Sequence, residues 1–293
     1  MASSHRPVLV QEVVEFLSGK ALVIDATVGA GGHAEALLEA GVGSVVGLDR
    51  DPTALAQAER RLSRFGSRFR AVLTRFSRLE EAAREAGLES TGGVLFDLGV
   101  SSMQLEAGER GFSYRNPGPL DMRMGPGEGD RPTAAEVVNS YPEPDLARVI
   151  SGYGEERFAR RIARAITRAR SRAPIATTGE LAAIVAGAVP RRTGGPHPAR
   201  RTFQALRIEV NAELQELAAS LPQAAGLLEE GGRLVAISYH SLEDRIVKRF
   251  ASEEPALLPL TRRPIRPSEA EGKDNPRARS ARLRAAERRT NPT

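Results

Sequence analysis

Apolar residues along this chain occur in two recurring patterns, short continuous runs and longer stripes. Runs of strand length lie at 22–24, 44–48, 69–73, 93–97 and 233–237. The segments between them carry apolar residues three or four positions apart, as at Val10, Val13, Val14 and Leu17. Strands that alternate with helices in this way form a parallel sheet with helices on its faces. The pattern therefore predicts an α/β fold with a doubly wound sheet.

The interval between the fourth and fifth predicted strands is much longer than such a sheet requires. One helix with its loops needs roughly 30 to 45 residues, so about a hundred residues are inserted here. Within the insertion, Thr133 and Thr177 each stand three residues before a glutamate, the capping-box pattern that begins a helix. After it, an apolar stripe predicts one long helix over 203–217. We predict a sheet domain at 1–104 and 201–293, and an inserted all-helical subdomain at 105–200.

A glycine-rich loop follows the first predicted strand. Asp25 ends that strand, and Gly29, Gly31 and Gly32 precede an alanine- and leucine-rich helix. A backbone without Cβ atoms can approach a ligand closely, and the free amides of the new helix then face that ligand. The second strand ends in Asp49, whose carboxylate can accept hydrogen bonds from both hydroxyls of a ribose. The loop and the acid together predict an adenosine pocket.

The glycines alone do not choose between two adenosine cofactors. The spacing Gly29-x-Gly31-x-x-Ala34, followed by Asp49, also satisfies the dinucleotide fingerprint. In that fingerprint the first glycine follows the strand almost at once, whereas here Asp25 and a further turn come first. A carboxylate at this place suits the cationic amino group of a methionine moiety and repels a pyrophosphate. The flanking residues favour S-adenosylmethionine, and an NAD-dependent dehydrogenase is the weaker alternative.

Two further residues lie at the ends of predicted strands. Asp97 ends the fourth strand, at the edge where doubly wound sheets bind their substrates, so we predict it beside the transferred methyl group. Phe76 follows the third strand, where its ring is placed either to stack on adenine or to pack in the core.

The composition narrows the chemistry further. The chain has no cysteine, which excludes disulfide scaffolds, thiolate zinc sites and a cysteine nucleophile for cytosine C5 methylation. Its histidines lack metal-ligand spacing, so we expect no structural metal. No apolar run approaches the roughly 18 residues of a membrane span, so we expect no membrane association and a cytoplasmic location.

Arginine carries nearly all of the basic charge. Of 42 basic residues only three are lysine, and arginine pairs bidentately with phosphate, although a GC-rich genome gives the same bias. A helix predicted over 155–170 has an apolar face, arginines around the rest, and no acid after Glu156. Such a face is either solvated or near a polyanion. We predict RNA contacts at Arg160, Arg164 and Arg168.

Several blocks of the sequence are long enough to indicate a family. They are Asp25-x-Thr27-x-Gly29-x-Gly31-Gly32-His33, Asp97-Leu98-Gly99-Val100-Ser101-Ser102, Gly111-Phe112-Ser113-Tyr114, Gly118-Pro119-Leu120-Asp121-Met122-Arg123, Tyr153-Gly154-Glu155-Glu156-Arg157, Arg201-Thr202-Phe203-Gln204-Ala205 and His240-Ser241-Leu242-Glu243-Asp244-Arg245. Together, and from about His5 to Arg279, they resemble the MraW/RsmH family. Members of that family are bacterial enzymes that methylate N4 of a cytidine in small-subunit ribosomal RNA.

The resemblance implies a Rossmann-like methyltransferase sheet, S-adenosylmethionine as cofactor, and small-subunit ribosomal RNA or the small subunit as partner, with the target in the decoding region. It also implies site residues: Gly31, Gly32 and His33 at the methionine end, Asp49 at the ribose, Phe76 at the adenine, and Asp97 and Gln104 beside the methyl group.

The sequence departs from amino-methylating DNA enzymes at one point. Those enzymes usually carry Pro-Pro-aromatic after the strand-terminal acid, whereas Leu98-Gly99-Val100 follows Asp97 here. The aromatic side chain that stacks on the target base must then come from elsewhere, with Phe112, Tyr114 and Tyr239 as candidates. A non-catalytic RNA-binding assembly factor that retains the fold is the remaining alternative.

Overall fold

A computed structural model describes residues 7–125, 131–190 and 197–290 of the chain. The chain forms two compact units, one of Met1–Gly99 with Leu214–Thr293 and one of Val100–Glu213. The predicted insertion at 105–200 lies within the second unit, which also includes the helix that follows it. No helix among the described residues is long and apolar enough to cross a membrane.

The first unit contains the strands and the helices that connect them. Its strands are β1 Leu22–Asp25, β2 Ser44–Asp49, β3 Phe69–Leu73, β4 Thr91–Asp97, β5 Leu228–Ser238, β6 Leu257–Pro259 and β7 Arg282–Arg288. The helices of the whole chain are α1 Val10–Leu17, α2 Gly32–Glu39, α3 Pro52–Leu62, α4 Leu79–Glu85, α5 Ser102–Glu106, α6 Ala134–Ser140, α7 Glu143–Gly154, α8 Ala159–Arg170, α9 Thr178–Ala188, α10 Arg200–Asn211, α11 Glu213–Leu227, α12 Ser241–Glu253 and α13 Glu269–Asp274. Helices α5 to α10 belong to the second unit.

The strands form one sheet in the order β3-β2-β1-β4-β5-β7-β6. Pairing is parallel from β3 to β5, and β7 runs antiparallel to both of its neighbours. Alternate residues enter different apolar clusters, with Val23 and Leu95 in one and Ile24 and Val94 in the other. Side chains that alternate in this way point to opposite faces, so the sheet is buried on both. The predicted α/β class is confirmed.

The second unit is helical around its own apolar core. The capping boxes predicted at Thr133 and Thr177 are both present and begin α6 and α9. The prediction of one helix over 203–217 is wrong, because Ala212 adopts a left-handed φ of 47° that ends α10 before α11 begins. The helix predicted from 155 begins later, at Ala159, because Glu155 has a φ of 48° and ends α7.

Candidate active site

Three acidic residues lie at one edge of the sheet. Asp25, Asp49 and Asp97 are the last residues of β1, β2 and β4, and β1 pairs in parallel with both of the other strands. Parallel neighbours place their carboxyl ends at the same edge, where doubly wound sheets bind ligands. The structure therefore brings these predicted residues together.

The glycine loop between β1 and α2 contacts this edge. Gly29 and Gly31 have φ values of 52° and 81°, a region that L side chains rarely adopt. A Cβ on Gly31 would lie only 3.1 Å from Leu62 and 3.3 Å from Ala58, both on α3. At this position glycine is thus required by helix packing, a reason that differs from the ligand approach inferred from sequence.

Asp49 is anchored by backbone amides. Its Oδ1 accepts from Asp51 N at 2.9 Å, and its Oδ2 accepts from Gly29 N at 3.0 Å. Burial raises the pKa of this carboxyl, while the two amide donors oppose that rise. The contacts fix the carboxylate at the end of β2 and tie it to the glycine loop.

Asp25 is more deeply buried, with an exposed fraction of only 1%. Burial raises the pKa of Asp25 to about 7, against the opposing influence of the nearby His33 and of a hydrogen bond from Thr27 N. Asp97 and Asp49 raise it further by charge repulsion. Near neutral pH this carboxyl is consequently poised between its two protonation states, and a cation in contact with it would favour the charged one.

Asp97 is contacted from two sides yet remains reachable. The hydroxyl of Tyr239 donates to its Oδ1 at 2.8 Å, and His33 Nδ1 lies 3.5 Å from its Oδ2. The backbone amide of Asp97 donates to Thr27 Oγ1 at 2.6 Å. The side chain is 23% exposed, which leaves it accessible to a substrate. The sequence did not reveal these partners, although Thr27 and His33 stand in the same block as Asp25.

The three candidates for a base-stacking aromatic are in different surroundings. Phe112 is buried in the core of the second unit. Tyr114 stacks on His197 with ring centroids 4.6 Å apart. Tyr239 hydrogen-bonds to Asp97, and a Cβ on Gly99 would lie 3.3 Å from its ring. Each ring therefore already has a structural partner.

Phe76 and Gln104 also have structural contacts. Phe76 is half-buried beyond the end of β3, and its ring meets Phe96 edge-on with centroids 5.9 Å apart. Gln104 lies in the second unit, where it forms a capping box with Ser101 at the start of α5, and its Nε2 lies 3.4 Å from Met124 O. The roles predicted for both residues at the cofactor remain predictions.

The arginines of α8 differ in their surroundings. Arg160, Arg164 and Arg168 are exposed. Arg164 lies 3.7 Å from Glu143 on α7, so the expectation that no carboxylate compensates this face is wrong for Arg164. Arg170 donates to the carbonyls of Val138 and Tyr141, which gives it a structural role.

Sequence reasoning missed a buried amide in the second unit. Asn211 is fully buried, its Nδ2 donates to Met122 O at 2.7 Å, and its Oδ1 accepts from Met124 N at 2.9 Å. Met122 has a left-handed φ of 62°, so this amide holds a strained turn in place. An asparagine within an apolar helical stripe was the available signal.

Taken together, the sheet order and its acidic edge define a Rossmann-like methyltransferase fold, with the reversed β7 next to the fifth strand. The profile of the MraW methylase family matches residues 2–289, and the chain belongs to that family. It is a methyltransferase, and its methyl donor is S-adenosylmethionine.

Relatives and structures support this assignment to different degrees. The chain is 50% identical to the ribosomal RNA small subunit methyltransferase H of Methylobacterium sp. (strain 4-46), over 98% of this chain and 92% of the relative. It is 48% identical to the protein of that name from Thermobifida fusca (strain YX), over 99% and 95%. The crystal structure of a rRNA methylase from Streptococcus thermophilus aligns with a TM-score of 0.46 at 14% identity, covering 99% of this chain and all of that one.

The residues present at the edge of the sheet fit the cofactor. S-adenosylmethionine carries an ammonium group and a ribose diol. Asp25 is a buried carboxyl whose pKa of about 7 indicates that no neighbouring cation fully compensates it. Asp49 presents a fixed carboxylate beside the glycine loop. The donor set thus includes one acid for the positive charge and one for the hydroxyls.

Proposed function

We propose that this protein transfers a methyl group from S-adenosylmethionine to N4 of a specific cytidine in small-subunit ribosomal RNA, in the decoding region. The observation that carries the proposal is Asp97, an accessible carboxylate at the end of β4 whose two oxygens face Tyr239 and His33. The names of the relatives support the ribosomal RNA substrate. An enzyme with this substrate acts in the cytoplasm.

For the cofactor, we propose one group for each part of the molecule. Asp49 accepts from the ribose hydroxyls, Asp25 faces the ammonium group, and Phe76 stacks on the adenine. The backbone of Gly31 and Gly32, with His33, borders the methionine end, and Gln104 borders the methyl group. The burial of Asp25 supports this division, because an ammonium group would convert a costly buried charge into an ion pair.

For the reaction, Asp97 positions the acceptor. The cofactor supplies a methyl group on a sulfonium, and in-line transfer requires mainly orientation and the exclusion of water. The lone pair of cytosine N4 is delocalised into the ring, which makes the amine a poor nucleophile. Asp97, with the carbonyls of Leu98 and Gly99, accepts hydrogen bonds from the amino group, and these bonds favour its nucleophilic, pyramidal form. The target cytidine must be unstacked to reach this position.

For the RNA, we propose the exposed face of α8. Arg160, Arg164 and Arg168 lie one turn apart along this helix, while Ile162 and Ile166 on its other side are buried. Guanidinium groups in such a row match successive phosphates. The apolar face anchors the helix independently of the arginines, so the charged face is available for RNA.

The test compares Asp97→Asn with wild type in single-turnover methyl transfer. We expect the variant to lose about 100-fold or more in rate, because its side chain no longer offers two anionic oxygens, while its melting temperature stays close to wild type. Asp274→Asn, at an exposed acid on α13, is the matched control and should leave both unchanged. A wild-type rate with early melting would make Asp97 structural. Binding of the small subunit without any methyl transfer by the wild type would favour an assembly factor instead.

A further inference from the structure

A buried histidine lies between a backbone carbonyl and a catalytic acid. His33 is the second residue of α2 and is 5% exposed. Its Nε2 lies 2.9 Å from the carbonyl oxygen of Val8. A carbonyl oxygen can only accept a hydrogen bond, so Nε2 must carry a proton. This contact fixes one side of the ring.

The position of that carbonyl is itself fixed. The next residue, Leu9, is buried with a left-handed φ of 54°, and its amide donates to Glu271 Oε1 at 2.8 Å. A non-glycine residue adopts this conformation only where its surroundings impose it. Glu271 on α13 thereby holds the Val8–Leu9 segment in register with the histidine.

The second ring nitrogen faces an oxygen that would repel a lone pair. His33 Nδ1 lies 3.5 Å from Asp97 Oδ2. In a neutral imidazole with its proton on Nε2, the Nδ1 atom presents a lone pair. Two acceptors at this distance in a buried site repel each other, so a second proton must lie between them. It is carried either by the histidine or by the acid.

The surroundings decide which group carries that proton. Burial and the adjacent Asp97 raise the pKa of Tyr239 well above its usual value, so this phenol stays protonated and donates to Asp97 Oδ1. A donor on one oxygen stabilises the anionic form of a carboxyl. Asp25 also lies close enough to interact electrostatically with His33, which favours a cation on the ring. Both influences place the proton on the histidine.

We propose that His33 is an imidazolium whose Nδ1–H orients Asp97 and keeps it ionised, so that it acts as a positioning residue for methyl transfer. The kinetic part of this inference rests on the proposed role of Asp97 at the acceptor amine. An ionised carboxylate held by two donors is an acceptor in a fixed direction, which an amino group requires. The titratable groups around the ring, from the elements that pack there, are Asp25, Asp49, Asp97, Tyr239 and Glu271.

The direct test is spectroscopic and needs no activity. Protein labelled with ¹⁵N in its histidines is compared with His33→Gln, which identifies the signals of this ring. We expect both ring nitrogens of His33 to be protonated at about pH 7.5, where an unperturbed histidine is mostly neutral. Asp97→Asn should convert the ring to the neutral form protonated on Nε2. Asp49→Asn removes a charge at the same sheet edge and should leave the imidazolium intact. A neutral ring in wild type would overturn the proposal.

Two substitutions at His33 then separate its two contacts. An asparagine amide nitrogen reaches the place of Nδ1 and can donate to Asp97, whereas a glutamine amide reaches the place of Nε2 and can donate to Val8. We expect His33→Gln to lower the single-turnover rate at saturating cofactor by about 10- to 100-fold with little change in KM for S-adenosylmethionine, because a misdirected group loses that much. His33→Asn should recover most of the rate.

The outcomes distinguish the two proposals. If His33→Asn and His33→Gln lose rate and melting temperature alike, the histidine is structural and the inference fails. If Asp97→Asn keeps the wild-type rate, the proposed role of Asp97 fails, and the NMR result still decides whether His33 is an imidazolium.

Discussion

The buried carboxyl of Asp25 makes a quantitative prediction about stability. Its pKa rises from 3.8 to about 7 on folding because the side chain is removed from water. The folded protein therefore binds this proton more tightly than the unfolded chain, and the resulting stability is present at low pH and lost as pH rises through 7. At about 1.4 kcal/mol per pH unit, the full loss is about 4 kcal/mol. An exposed fraction of only 1% means that solvent screening does not reduce this figure much.

The substitution that isolates this effect is Asp25→Asn. The amide keeps an acceptor for Thr27 N but cannot ionise. Between about pH 5.5 and 8.5 the wild-type free energy of unfolding should fall by about 2 kcal/mol more than that of the variant, the part of the total shift that lies in this interval. Urea unfolding without ligand, followed by circular dichroism at both pH values, measures the difference.

A control and a ligand experiment complete the test. Glu229→Gln, at an exposed acid on β5, should follow the wild-type pH dependence. S-adenosylmethionine should release protons on binding near pH 7 in wild type and not in Asp25→Asn, because an ammonium group favours the ionised carboxyl. Calorimetry in buffers of different ionisation enthalpy detects this release. Parallel loss of stability in wild type and Asp25→Asn would refute the reasoning.

Three further predictions follow from other parts of the chain. Asp49→Ala should weaken S-adenosylmethionine binding by about 1.5–3 kcal/mol, the scale of lost charge-assisted hydrogen bonds; unchanged affinity in calorimetry would remove Asp49 from the ribose. Charge reversal at Arg160, Arg164 and Arg168 should weaken RNA binding and make its salt dependence shallower by about 0.7 per lost phosphate contact, with the smallest share from Arg164, which already pairs with Glu143; an unaltered slope would make this a solvated face. Asn211→Ala should cost about 2–4 kcal/mol in chemical unfolding, because it leaves buried backbone groups of a strained turn without partners; a loss below about 0.5 kcal/mol would contradict that role.

The sheet and the position of the site were predictable because their signals are local. Each parallel strand is a short apolar run, and an acid at the end of such a run has to lie at the carboxyl edge. The capping boxes of α6 and α9 were equally local, since the threonine and the glutamate stand within one helical turn.

Other features depend on residues far apart in sequence and had no such signal. Asp97 meets Tyr239, and Leu9 meets Glu271, only after the sheet and its last helix are assembled. The break at Ala212 was missed because alanine is a strong helix former and neither glycine nor proline marks the turn. The pairing of Arg164 with Glu143 joins two helices whose packing the sequence alone did not specify.

The central claim is the position of the transferred methyl group, and one measurement tests it most directly. Small subunits from a strain that lacks this protein are incubated with the purified enzyme and isotopically labelled S-adenosylmethionine. Their RNA is then digested to nucleosides and analysed by mass spectrometry, and the modified position is mapped. The account predicts label in N4-methylcytidine at a single position of the decoding region. Label in 5-methylcytidine or in another nucleoside, or the absence of transfer, would contradict it.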